Sequence, residues 1–340
     1  MRIALIGFGV VGKSLVELLE QQRAVLRDRH GLAAKFVAVV DSKGAAVGEH
    51  GLLAGELLAA KAAHGTVAAI PGHGLKNADA NRIIAESGAQ VLVETSPSDL
   101  KKPEAAIGHL RSAMSHGLHA VTVNKAPLAV AMPALLELAA YNRVQLKFSG
   151  TVGAGTPVLA WAKRCAQGNR VRSLKAIING TTNFILSNMT EKGLAFDEVL
   201  REAMRLGYAE TDPSNDIDGI DTAMKLVILA NHVMDRRATF GDVDVKGIRG
   251  LSSAAIESAR GRGNVVKLIG RVEDDRLSVT PEEIPEGAPM NVGGSLNAVT
   301  LDCEVGGEVT LVGRGAGGPE TATAIVRDLI DVWRESEPRG

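Results

Sequence analysis

Residues 2–6 (RIALI) run straight into Gly7-Phe8-Gly9-Val10-Val11-Gly12. A short apolar run ended by glycine reads as a buried strand, and from Val10 onward Val11, Leu15, Leu18 and Leu19 recur at helical spacing. The order is strand, glycine-rich turn, helix. In that context G-x-G-x-x-G is a dinucleotide-binding fingerprint, and few openings restrict a fold as strongly. Its glycines permit a tight turn, close approach of backbone to a pyrophosphate, and close packing of helix on strand. The helix N-terminus then faces the phosphates with its partial positive charge. A glycine-rich turn without a ligand is the plainer alternative, and the flanking strand and helix weigh against it.

Further strands are expected at 35–40, ending at Asp41, and at 90–94, 119–123 and 144–148, with helix-like segments before the first three. Strands alternating with helices imply βαβ units and a parallel sheet. After Gly150 the pattern changes. An apolar run at 171–178, helical stretches at 182–190 and 218–234, and strand-like pieces at 243–250 and 265–312 precede a last helix over 321–333. The reading is α/β: a Rossmann-type dinucleotide-binding domain over 1–150, an α+β domain over 151–312, and a C-terminal segment over 313–340.

Composition agrees. A chain of 340 residues suggests two domains. Lys and Arg number 38 against 39 Asp and Glu, so the net charge of -1 gives no general pull toward nucleic acid or anionic lipid. Two cysteines, Cys165 and Cys303, are too few for a disulfide framework or a multi-thiolate metal site, and both are expected to be buried free thiols. That fits a reducing compartment. The apolar N-terminus is broken by Gly7, Gly9 and Gly12, with no cleavage site after it. No apolar stretch approaches the roughly 18 residues that span a bilayer. Cytoplasm is the expected location.

Three segments belong at the carboxyl ends of the strands, where open α/β sheets bind ligands. Asp41 stands where an acidic residue meets a ribose hydroxyl, while Ser42 and Lys43 beside it suit a 2′-phosphate, so NAD and NADP both remain open. Thr95, Ser96 and Pro97 follow one strand, and Asn124, Lys125 and Pro127 follow another. Both are expected at the nicotinamide end of the cleft.

The densest chemistry lies between Gly207 and Lys225, where Glu210, Asp212, Asp216, Asp218 and Asp221 place five carboxylates within 12 positions. Asp218 is a plausible helix N-cap. Asp221 and Lys225 are four apart and share one helix face, in a helix apolar enough to bury part of it. On the surface such a pair contributes only about 0.2–0.5 kcal/mol. Buried, it is costly unless it has a task. Carbonyl reduction needs a proton donor as hydride arrives, which a positioned lysine supplies, and nearby carboxylates suit a cationic amino group on the substrate.

These residues resemble the homoserine dehydrogenase family. The resemblance is carried by LGYAETDPSNDIDGIDTAMKLVILAN, with GFGVVG, ETSPSD, TVNKAPLA, GTVGAGTPVL, INGTTNFIL and a late GAGG in order, and it covers essentially the whole chain. It implies reversible NAD(P)-linked interconversion of aspartate 4-semialdehyde and homoserine, on the route to threonine, methionine and isoleucine. It puts Lys125 and Lys225 at the reacting centre. Glu210, Asp216 and Asp221 would bind substrate groups or position Lys225, and Gly180, Thr181 and Tyr208 would line the substrate site. Gly315, in the late glycine run, would meet the cofactor as that run folds back on the first domain. The second domain would make a homodimer through a sheet shared by two subunits.

The family often has a Glu at position 149 serving a sodium or potassium ion. Here it is Ser149, which leaves the backbone carbonyls of Val152 and Ala154 as ligands. Arg314 replaces a common proline. The length leaves no room for a regulatory domain after the last helix or a kinase domain before Met1, so threonine feedback is not expected. The rival readings are another amino-acid dehydrogenase of the same plan and a non-catalytic dinucleotide sensor. Cys165 lies in a helical context without a nucleophile's turn. His116 and His119 lack the carboxylate company of a metal site.

Overall fold

The opening strand lies inside a seven-stranded sheet. β1 (Arg2–Ile6), β2 (Lys35–Asp41), β3 (Gly44–Leu52), β4 (Gly74–Lys76), β5 (Val91–Glu94), β6 (His119–Thr122) and β7 (Leu146–Lys147) are arranged β4-β3-β2-β1-β5-β6-β7. Ile3, Ala4 and Leu5 are wholly buried, as expected of a central parallel strand covered on both faces. The computed structural model describes residues 1–336. It divides into two units, one of residues 1–155 with the chain from 317 onward, the other of residues 156–316.

The expectation of a parallel sheet needs one correction. From β2 to β7 the pairs are parallel, but β3 and β4 add antiparallel strands beyond β2. Residues 44–52 (GAAVGEHGL) have one β-branched side chain and three glycines, so little in their composition signals a strand. Pairing with β2 holds them in place.

The helix Val10–Gln21 follows β1, and the helix Gly318–Ser336 packs on it. Ile325, Leu329 and Val332 join Leu15, Val16 and Leu19 in one buried cluster. A Cβ on Gly318 would lie 2.7 Å from Val10 Cγ1 and 3.0 Å from Ser14 Oγ, so the last helix starts directly against the first turn of the fingerprint helix.

In the second unit, β8 (Val171–Ile177), β9 (Val243–Val245), β10 (Asn264–Glu273), β11 (Arg276–Pro285), β12 (Leu296–Cys303) and β13 (Gly307–Arg314) form a sheet in the order β13-β12-β8-β10-β11-β9. Only the β9–β11 pair is parallel. The helix Ile220–Met234 lies against this sheet at Gly270, where an added Cβ would meet Leu226 and Thr222 at 3.3 and 3.4 Å. The helix Gly180–Lys192 follows β8 and packs on β10 and β12.

Two further expectations fail. The helix expected over 218–234 is present as Ile220–Met234, but Asp218 does not cap it. A short helix, Ser214–Ile217, comes first, and Gly219 is the N-cap of Ile220–Met234, with φ +83°. Asp218 instead forms a two-pronged pair with Arg249, at 2.7 and 2.8 Å, which occupies both of its carboxylate oxygens. Cys303 is buried, but Cys165 is partly exposed. It sits in the last turn of the helix Val158–Cys165, whose buried residues are Val158, Leu159 and Ala162.

Candidate active site

The three fingerprint glycines serve different ends. Gly7 has φ +93°, and a Cβ there would lie 2.6 Å from Ser96 N. A Cβ on Gly12 would lie 2.3 Å from the Gly7 carbonyl oxygen. Both must be glycine for the turn to close on β5. Gly9 is different, because an added Cβ would meet nothing within 4 Å. Gly9 is also the N-cap of the helix, with no side-chain cap. The first-turn N–H groups of a helix have no intrahelical partner. An open approach before uncapped donors fits a pyrophosphate. Val10 beside it is 68% exposed and Val11 partly so, while the Phe8 ring is buried in the core.

The segments after β5 and β6 form one hydrogen-bonded network. Thr95 Oγ1 donates to Gly7 O at 2.5 Å and to Ile6 O at 3.1 Å, tying the turn to β5. Asn124 Nδ2 donates to Ser96 Oγ at 3.2 Å and to Pro97 O at 3.1 Å. Asn124 Oδ1 accepts from Ala126 N and caps the helix Lys125–Tyr141. Lys125 N donates to Ser98 Oγ at 3.0 Å. At the centre is Glu94, fully buried, which accepts from Ser96 N at 3.1 Å, from Ser96 Oγ, and from Thr122 Oγ1 at 3.3 Å. Sequence reading missed Glu94. Its signal was an acid closing an apolar strand.

Asp41 closes β2, but its carboxylate is already engaged. Oδ1 accepts from Lys43 N and Thr66 Oγ1, and Oδ2 from Lys61 Nζ and Val67 N, all within 2.9–3.0 Å. Its side chain is 2% exposed. Burial pushes its pKa up, and these four donors outweigh burial and bring it below the ordinary value. Ser42 and Lys43 are exposed.

Near the end of this unit's first segment, Gly153 and Ala154 both have positive φ, and Val152 and Ala154 are buried. Ser149 donates through N and Oγ to Asp328, at 2.9 and 2.6 Å. Burial pushes the Asp328 carboxyl up to about 6 against those hydrogen bonds.

The second unit assembles the acidic–lysine group. Lys225 Nζ lies 2.7 Å from Asp221 Oδ2 and donates to the Ile178 carbonyl at 2.7 Å. Lys225 is 8% exposed. Asn179, which the sequence reading did not single out, links the carboxylates. Its Nδ2 donates to Asp216 Oδ1 at 2.6 Å and Asp221 Oδ2 at 3.0 Å, while its Oδ1 caps the helix Gly180–Lys192 through Thr182 N. Burial first, then the charge of Asp221, pushes the Asp216 carboxyl above its ordinary range. Thr181 Oγ1 donates to Tyr208 O at 2.6 Å, and the Tyr208 ring stacks on Phe184 with centroids 4.5 Å apart. A Cβ on Gly180 would lie 3.0 Å from Ser295 O. Glu210 is exposed on the loop before this group. Arg314 is exposed, and Gly315 lies against Asn297. Among the described residues no group of three or more His, Cys, Asp or Glu is arranged to hold a metal, and no helix is long and apolar enough to cross a membrane.

A Rossmann-type domain with an open fingerprint turn, in one chain with a mixed-sheet unit that matches a dehydrogenase family model, makes this an NAD(P)-dependent oxidoreductase acting on a CH–OH group. The family model for the homoserine dehydrogenase NAD binding domain matches residues 7–149, and that for homoserine dehydrogenase matches 157–330. The homoserine dehydrogenase of Methanocaldococcus jannaschii is 39% identical, over 99% of this chain and 100% of its own. The NAD(+)-dependent homoserine dehydrogenase of Pseudomonas canavaninivorans is 37% identical, over 98% of this chain and 97% of its own. Among solved structures, a hyperthermophilic archaeal homoserine dehydrogenase in complex with NADPH superposes with a TM-score of 0.86 at 28% identity, covering 99% of this chain and 98% of that one. The chain belongs to the homoserine dehydrogenase family.

Proposed function

We propose that Lys225 is the proton donor to the aldehyde oxygen in the reduction of L-aspartate 4-semialdehyde to L-homoserine. The bound nicotinamide cofactor supplies the hydride, or takes it up in reverse. The observation that carries this reading is the pinning of the Lys225 ammonium between Asp221 and the Ile178 carbonyl, each at 2.7 Å. Two acceptors fix its direction and leave it a third N–H for the substrate oxygen. In the reverse reaction, neutral Lys225 takes the hydroxyl proton of homoserine. Lys125, first residue of its helix, serves as a second proton-transfer group.

Asp216 and Glu210 hold the substrate ammonium, and Asp221 orients Lys225. Gly180, Thr181 and Tyr208 line the substrate. Gly7 to Gly12, Thr95 to Pro97, Asn124, Lys125 and Gly315 hold the cofactor. We assign Asp41 a structural role, since four donors already use its oxygens. Ser42 and Lys43 are then the contacts for a 2′-phosphate, which favours NADP over NAD. The Val152 and Ala154 carbonyls are the ligands for a sodium or potassium ion. The protein works in the cytoplasm as a homodimer built through the second unit, residues 156–316, and light scattering reads its mass.

The test is nicotinamide absorbance on adding homoserine to purified protein, with NAD and NADP separately and with or without potassium or sodium. Cofactor reduction is expected, faster with NADP. No reduction with either, while cofactor still binds, overturns the reading.

A further inference from the structure

Asn297 is 3% exposed, yet neither Oδ1 nor Nδ2 of its amide has a hydrogen-bond partner. Buried polar groups are nearly always paired, because an unpaired one loses its water without recompense. A buried amide with both ends unused is therefore a group kept for something other than the fold.

Its surroundings indicate what. Asn297 is the second residue of β12, one position before Ala298, which pairs with Ile177. The residue after Ile177 is Ile178, whose carbonyl holds Lys225. On its other side Asn297 lies against Gly315, where an added Cβ would be 1.8 Å from Nδ2. The segment leading to it is firmly held. Lys267, itself buried, donates to Val292 O, Asn183 Oδ1 and Ser187 Oγ, and Asn183 Nδ2 donates to Val292 O and Leu296 O. Ser295 O abuts Gly180. A rigid wall thus runs from the start of the Gly180–Lys192 helix to Asn297.

We infer that Asn297 is a substrate-binding residue whose amide hydrogen-bonds the polar head of the amino-acid substrate. The inference rests on the reading of Lys225 as the reacting group. An α-amino acid head carries an ammonium donor and a carboxylate acceptor, and an amide meets either. Arg249 is taken by Asp218, and Lys225 by Asp221.

The experiment uses full-length Asn297→Leu and Asn297→Ala with homoserine as the probe, once wild type has been seen to oxidise it. Wild-type turnover checks the parent reading separately. Homoserine KM is expected to rise on the order of tenfold to a hundredfold, with cofactor Kd unchanged. The melting temperature of ligand-free Asn297→Leu is expected to rise by roughly 2 °C or more, because an unpaired amide has been replaced by an apolar side chain of similar size. A structural asparagine would give the reverse, a lower melting temperature with homoserine KM unchanged, and that result overturns the inference. A rise in cofactor Kd alone also overturns it.

Discussion

Lys225 reaches back one helical turn to Asp221, and their charged atoms meet at 2.7 Å in a helix with no exposed residue in its first three turns. An i, i+4 pair of this kind on a surface contributes a few tenths of a kcal/mol. Buried, it must offset the desolvation of both charges. The Ile178 carbonyl and the Asn179 amide supply the extra hydrogen bonds that make this possible.

Lys225→Ala and the shape-keeping Lys225→Met should lower kcat by about 10²–10⁴-fold, with cofactor Kd unchanged. Steady-state rates and fluorescence titration of the cofactor check this. Full turnover in both variants would falsify the assignment of Lys225.

Asp216 should make substrate affinity depend on pH. Its carboxyl is raised by burial and by Asp221, so it takes up a proton at higher pH than an ordinary aspartate. Protonated, it no longer attracts the substrate ammonium. Homoserine KM should therefore climb as pH falls through that raised value. Asp216→Asn should have a high KM at every pH and lose the slope, and a retained slope would assign it to another group.

Gly9→Ala and Gly12→Ala should separate cofactor binding from folding. A Cβ on Gly9 meets no protein atom within 4 Å, so the variant should melt close to wild type while its cofactor Kd rises roughly tenfold or more. A Cβ on Gly12 would lie 2.3 Å from Gly7 O, so that variant should melt several degrees lower. Equal melting temperatures would contradict the different roles given to the two glycines.

Lys43→Ala should lower kcat/KM for NADP by roughly tenfold and leave NAD unaffected. Asp41→Ala should mainly lower stability, since it strands Lys61, Thr66 and the Val67 N–H. A rise in NADP use by Asp41→Ala at unchanged stability would restore Asp41 as the ribose contact.

Asp328 should make the fold less stable as pH rises. Its carboxyl titrates at about 6 when folded, against 3.8 as the ordinary value. Below 3.8 both states hold the proton, and between 3.8 and about 6 the folded state holds it more. Stability therefore falls across that window, by on the order of 3 kcal/mol, and stays lower above it. Asp328→Asn keeps partners for Ser149 and should be more stable than wild type at neutral pH. Urea unfolding at pH 4 and pH 7 reads the difference, and equal slopes in both proteins would count against it.

By itself the sequence determined the fingerprint turn, the central strands, the last helix and the Lys225–Asp221 pair. These depend on short-range spacing: an apolar run ended by Gly7, a period of 3.6 from Val10, and a four-residue interval on one helix. Only the tertiary structure decided what those residues touch. It recruited the alanine- and glycine-rich β3 by pairing it with β2, spent the Asp41 carboxylate on Lys61 and Val67, some 20 or more positions away, and drew Asp218 to Arg249. It also made Asn179 the link between Asp216 and Asp221, and left Asn297 buried and unpaired. A carboxylate or an amide takes its partners from whatever the packed chain brings within about 3 Å, and distance along the chain does not record that.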